Sequence, residues 1–213
     1  YIPILAKECK KNKIEFCVTP FYLEAVDIIK PYVDFIKIAS YEILWEDLLI
    51  KCAKTKKPII ISTGMANMKE VINAIKILKK NGAKKIIILH CVSSYPAKLK
   101  SLNLSAISTL RKKTKLDIGW SDHSAKSLVV YKAIQKWKAS FVELHIDLDG
   151  KGFEYKSGHC WLPKNAKELI NFVKQDKLVD GNGKKKPNFE EISERKFRAD
   201  KIDGLRPIRK YRK

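Results

Sequence analysis

Six short runs rich in β-branched and aromatic residues recur along the chain, at 15–20, 35–40, 58–63, 85–91, 116–121 and 141–146. Each is too short for a helix and is bounded by polar or turn-forming residues, so each predicts a strand. Between them the apolar positions change spacing. Val71, Ile75, Ile77 and Leu78, and then Leu128, Val129, Ile134 and Trp137, recur at three- and four-residue intervals and predict amphipathic helices. Regular β-α alternation implies a parallel sheet covered by helices, either an open doubly wound sheet or a (β/α)8 barrel.

Polar residues at the strand ends favour the barrel. Thr19, Ser40, Ser62 with Thr63, His90 with Ser93, Ser121 to His123, and Glu143 with His145 stand at or just beyond the ends of six different strands. An open sheet draws its ligand site from two or three strands at a switch point, whereas a barrel gathers all its C-terminal strand ends into one mouth. No glycine-rich nucleotide-binding run is present. After about residue 178 the pattern gives way to a basic, turn-rich loop at 180–187, a short acidic helix is expected at 189–195, and a basic tail follows.

Composition adds a constraint on partners. With 213 residues, 45% of them hydrophobic, the chain can bury one sizeable core. The formal charge of +21 comes from 38 Lys and 6 Arg against 23 acidic residues. Nucleic-acid readers lean on Arg for bidentate contacts, so this ratio points to a solvated Lys-rich surface, and nucleic acid is not the expected partner. Five widely spaced cysteines without a CxxC pair suggest neither a zinc knuckle nor a disulfide framework, and fit a reduced, cytoplasmic protein. No apolar run is long enough to span a membrane. The opening residues lack both an initiator methionine and a signal-peptide layout, which leads us to expect that the chain begins in mid-sequence.

Lys37 interrupts an apolar strand, where an ammonium needs an anionic partner. That partner is either a bound phosphate or carboxylate, or an internal Glu or Asp. Thr19, Ser40, Ser62, Ser93 and Ser121 offer hydroxyl donors for an oxyanion, or simply cap their strands. His123 and His145 end consecutive strands, which in a parallel sheet are neighbours. They suit a divalent transition metal, and equally suit two hydrogen-bonded core histidines. Asp122 and Glu143 are candidates to orient the histidines or to accept hydrogen bonds from a substrate. His90 reads as a core histidine.

Taken together, Thr19-Pro-Phe, Ile36-Lys-Ile-Ala-Ser, Ser62-Thr-Gly-Met, Leu89-His-Cys-Val-Ser-Ser-Tyr-Pro, Gly119-Trp-Ser-Asp-His-Ser, Glu143-Leu-His and Asp203-Gly-Leu-Arg-Pro resemble the sialic acid (N-acetylneuraminate) synthase family, in the family's order. The likeness runs from residue 1 to about 207 and extends to legionaminic and pseudaminic acid synthases. It implies a TIM barrel that condenses phosphoenolpyruvate with an N-acetylmannosamine-type amino sugar, using Mn2+ or another divalent ion. By resemblance, the metal ligands fall on His123 and His145. Phosphoenolpyruvate contacts fall on Thr19, Lys37, Ser40, Ser62 and Ser121, with Ser93 at a position where some members have Asn. Tyr95 and Glu143 fall where the sugar is held, and Lys37 and Glu143 are the expected catalytic pair.

The resemblance also implies what is not in the chain. The six strands correspond to the third to eighth of a barrel, so the fold is expected to be an incomplete (β/α)8 barrel. Residues 1–178 form the partial catalytic domain, and 179–213 form the barrel's C-terminal segment and a basic linker toward a small antifreeze-like domain. A homodimer is expected of the full-length form. Beyond His145 the family's Gly-Pro-Asp-His-like segment is replaced by residues 152–163, where Glu154 or His159 could stand in, and this leaves the amino sugar open. The competing readings are a basic module binding nucleic acid or an anionic surface, and an inactive truncated gene product.

Overall fold

A computed structural model describes residues 1–212, and Lys213, the last residue of the basic tail, lies outside the described residues. The chain divides into two compact units, Tyr1–Asn171 and a second beginning at Phe172. The first holds a six-stranded parallel sheet in sequential order: β1 (Cys17–Val18), β2 (Phe35–Ile38), β3 (Ile59–Ser62), β4 (Ile86–His90), β5 (Asp117–Asp122) and β6 (Val142–Leu144). The predicted runs at 15–20 and 141–146 shrink most, to two and three residues. Both are edge strands, paired on one side only, and half of their backbone groups have no ladder to join.

Helices alternate with the strands: α1 (Ile2–Lys11), α2 (Leu23–Ile29), α3 (Glu46–Lys54), α4 (Met68–Lys80), α5 (Ala106–Thr114), α6 (Ser127–Gln135), the single turn α7 (Phe153–Lys156) and α8 (Pro163–Asp180). In α4 a reciprocal capping box between Asn67 and Glu70 satisfies the first N–H groups, and Val71, Ala74, Ile75 and Leu78 form the buried stripe. The stripe predicted for α6 is turned by one position. Leu128 is exposed, and Val129, Val130 and Ala133 face inward.

The sheet is strongly curled. Lys37 on β2 and Glu143 on β6 are four strand spacings apart, about 19 Å in a flat sheet, yet their charged atoms lie 3.4 Å apart. Phe35 on β2 and Phe141, just before β6, each two residues earlier in the chain, meet edge to face at 6.4 Å. This is the half-barrel expected of six strands from a (β/α)8 fold. Strand alternation then sorts the side chains. Lys37, Ser62, Ser121 and Glu143 face the inside, while His90 packs its ring on Trp120 and bonds the Leu102 carbonyl at 3.0 Å on the outside.

In the second unit, the acidic helix predicted at 189–195 is absent, and a 3-10 turn spans Ser193–Phe197 instead. Asp203 receives a forked pair of hydrogen bonds from Arg212, at 2.5 and 2.6 Å, and a third from Arg209 at 3.2 Å. The Arg212 bonds hold the Asp203 carboxyl well below the usual carboxylate range. Two of the tail's arginines are therefore engaged within the chain.

Two outcomes follow from this packing. A Cβ at Gly119 meets the Phe141 carbonyl oxygen and a Leu89 methyl at 2.5 Å. Gly119→Ala should therefore cost roughly 1–3 kcal/mol in urea unfolding, and an unchanged midpoint would show that β5 is less constrained than described. His90 is pushed below its ordinary value of 6.5 by burial, so the unfolded chain binds its proton more readily. Stability should fall as pH drops below about 6.5, and His90→Gln should flatten part of that slope in pH-dependent denaturation.

Candidate active site

The inward-facing strand ends converge on one open cleft of about 480 Å3 at the C-terminal side of the sheet. Thr19, Lys37, Ser40, Ser62, Tyr95, Ser121, His123, Glu143 and His145 all line it. Ser93 does not line it. Its side chain turns back toward Gly64, and a Cβ on that glycine would clash with both the Ser93 and Ser40 hydroxyls. Phe21, seen in the sequence only as the last residue of the Thr19-Pro-Phe motif, and Tyr41, which no motif included, also line it.

One half of the cleft is organised around Lys37, which is 7% exposed. Its ammonium pairs with Glu143 and donates to the Ile38 carbonyl at 3.2 Å. Of the two partners left open by the sequence, an internal Glu is therefore present. Glu143 is itself fixed by Ser121, whose hydroxyl donates to it at 2.7 Å. Ser40 accepts the Gly64 N–H at 3.0 Å, and its hydroxyl lies 3.2 Å from the Cys91 sulfur. Ser62 Oγ is buried with no hydrogen-bond partner among the described residues, a donor aimed into the cleft and left unspent. Cys17 lies close to this group, but burial pushes its thiol up to about 12 and keeps it protonated. All five cysteines are free.

The other half is built of imidazoles around Tyr95. The Tyr95 ring lies 4.4 Å from His123, 6.1 Å from His145 and 5.0 Å from His159, and the His123 and His145 rings are 5.1 Å apart. Burial, reinforced by nearby His145, lowers the pKa of His123 and keeps its ring neutral. Its Nδ1 is 2.7 Å from the Val92 carbonyl, which only accepts, so Nδ1 carries the hydrogen and Nε2 keeps a free lone pair. That donor chemistry fits a divalent ion.

Asp122 is not a cleft residue. It is fully buried and receives four hydrogen bonds: from the Trp120 and Trp161 indoles at 3.2 and 3.1 Å, the Ser124 hydroxyl at 2.7 Å, and the Ala125 N–H at 2.9 Å. The alternative that it accepts from substrate gives way to a positioning role. It ties the end of β5 to the segment that returns after β6. There Trp161 donates its N–H to the His145 carbonyl at 2.7 Å, and Asp147 donates its own to the Trp161 carbonyl at 2.9 Å. This return brings Glu154, His159 and Cys160 beside His145, with one ligating atom of each within 4.8 Å of the others. The sequence raised Glu154 and His159 as stand-ins, but Cys160 carried no paired-cysteine signal.

The family model of the NeuB family matches residues 2–185. The chain belongs to this family. It is 38% identical over 192 residues to an N,N'-diacetyllegionaminic acid synthase of Campylobacter jejuni, covering 88% of this chain and 57% of that one. It is 31% identical over 194 residues to a pseudaminic acid synthase of Helicobacter pylori, covering 90% and 56%. A crystal structure of N-acetylneuraminic acid synthetase from Leptospira borgpetersenii, in complex with citrate, superposes with a TM-score of 0.77 at 33% identity and covers 90% of this chain and 67% of that one. The chain thus spans a little over half the length of these curated relatives. No helix among the described residues is long and apolar enough to cross a membrane.

Asp122→Ala leaves three buried donors and the half-buried Ala125 N–H without their acceptor. The expected loss is on the order of 3 kcal/mol, read by chemical denaturation, and a loss below about 1 kcal/mol would contradict this role for Asp122.

Proposed function

We propose that this chain carries the phosphoenolpyruvate and metal sites of a nonulosonic acid synthase. In this reading phosphoenolpyruvate condenses with an N-acetylmannosamine-type amino sugar to give a sialic acid-like product and phosphate. The observation that carries it is the convergence of one buried ammonium, a ring of hydroxyls and two adjacent imidazoles on one cleft. An ammonium with several hydroxyl donors suits a small, doubly anionic substrate. Adjacent imidazoles suit a divalent ion.

Lys37 and the hydroxyls of Thr19, Ser40, Ser62 and Ser121 hold the phosphate and carboxylate, so that C3 of the enol faces the sugar aldehyde. Ser62, which has no hydrogen-bond partner among the described residues, gains one on binding. The incoming anion competes with Glu143 for Lys37 and frees that carboxylate to accept a hydrogen bond from a sugar hydroxyl, beside Tyr95. His123 and His145 would hold a divalent ion such as Mn2+, which would supply polarisation of the aldehyde oxygen. C3 attacks the aldehyde carbon to form the new C–C bond, water adds at C2, and the C2–O bond to phosphate breaks. Placing fixed donors around the phosphate stabilises the charge that it carries away. The names of the relatives favour a diacetamido sugar as acceptor. In keeping with the family, residues 179–213 serve as the barrel's last segment and a linker.

The test has two parts. Calorimetry on the chain should show phosphoenolpyruvate binding that Lys37→Ala weakens at least about tenfold. In a protein extended to the length of the relatives, phosphate release should require both a divalent ion and an amino sugar. Absence of turnover with every N-acetylmannosamine-type and diacetamido acceptor would overturn the reading.

A further inference from the structure

We propose that His145, Glu154, His159 and Cys160 form a four-donor site for a thiophilic divalent ion such as Zn2+ or Co2+, supplied mainly by the segment that returns after β6. The inference needs only the folded first unit and does not depend on phosphoenolpyruvate chemistry. One ligating atom from each residue lies within 4.8 Å of the other three. A tetrahedral centre with bonds of about 2.0–2.3 Å holds its ligands about 3.3–3.8 Å apart, so the four donors close by up to about 1.5 Å as the shell forms. Two imidazoles, a carboxylate and a thiolate are a donor set for zinc or cobalt rather than for an oxygen-loving ion.

His159 is already in the tautomer that the site needs. The Ser157 hydroxyl spends its only hydrogen on the Glu154 carbonyl at 2.7 Å, so at its 2.7 Å contact with His159 Nδ1 it accepts. Nδ1 therefore carries the proton and Nε2 keeps its lone pair. Cys160 is 7% exposed, which shields a metal-bound sulfur from oxidation and competing ligands. The scaffold beneath is held by the Trp161 bonds to His145 and Asp122. Glu154 lies 3.9 Å from His145 Nδ1, so carboxylate and imidazole already face each other. On binding, Cys160 loses its proton to solvent and one metal–sulfur bond forms, releasing one proton per ion.

The metal-free chain is titrated with CoCl2 and followed by absorption. A one-to-one complex should show a strong near-ultraviolet sulfur-to-cobalt band and the intense visible bands of a four-coordinate ion. Cys160→Ser should remove the near-ultraviolet band, and His159→Ala should weaken Co2+ and Zn2+ binding at least about tenfold, while His123→Ala should keep the band. No sulfur band in the unsubstituted chain at saturating Co2+ would overturn the proposal, and that measurement requires no variant to fold. It would equally be overturned if His159→Ala bound as tightly as the unsubstituted chain while His123→Ala abolished binding, because the ion would then rest on His123 and His145.

Discussion

A lysine ammonium buried on the concave face of a parallel sheet is the constraint on which the rest of the site depends. Left unpaired, such a charge costs several kcal/mol, and in a flat sheet the strands adjoining β2 offer it only Ile60 in register. Curling the sheet until β6 faces β2 brings Glu143 to it, 3.4 Å away. The curl in turn demands close approach beneath the pair, which Gly119 permits by leaving room for Leu89 and Phe141. An apolar floor and a charged mouth are thus two levels of the same geometry. Because the pair closes on itself, the cleft carries no net charge from it, and an anion approaching the ammonium competes with a carboxylate.

Asp122 plays the corresponding part on the imidazole side, with a different outcome. Its four donors are all internal, so it offers nothing to a ligand and everything to the position of His123 and Trp161. The site therefore has one carboxylate that is exchangeable, Glu143, and one that is fixed. The difference follows from what surrounds them. Glu143 has a partly exposed side chain and one hydroxyl donor, whereas Asp122 sits between two indoles with no solvent contact.

Much of this was legible in the sequence, since period-2 runs and their terminal polar residues depend on local alternation alone. Lys37, the hydroxyls and the two histidines were found because each breaks an apolar pattern at a strand end. What escaped depends on tertiary direction. Ser93 shares the type and spacing of its neighbours, but its chain has already turned back to Gly64. Leu128 matched a helical stripe, yet the face of α6 is chosen by its packing on β5, one position round. Cys160 gave no signal because its partners lie 1, 6 and 15 residues away in an irregular segment, brought together by backbone bonds to Trp161. The short edge strands were overpredicted because residue type speaks for a strand whether or not a neighbour exists to pair with it.

His145 belongs to both candidate ligand sets, and that overlap limits how the site can work. Its ring is 5.1 Å from His123 on one side and 5.1 Å from His159 on the other, so it stands between the hydroxyl-lined cleft and the return segment. An ion held with His123 would stand in the hydroxyl-lined cleft. An ion held with His159 and Cys160 is drawn toward the return segment and takes a thiolate, which lowers its power as a Lewis acid by donating charge. A full four-donor shell also leaves no position open for a substrate oxygen, the arrangement of a structural rather than a catalytic centre. An ion that drew His145 toward His159 and Cys160 would take that ring from the side of His123, so the two ligand sets compete for one imidazole.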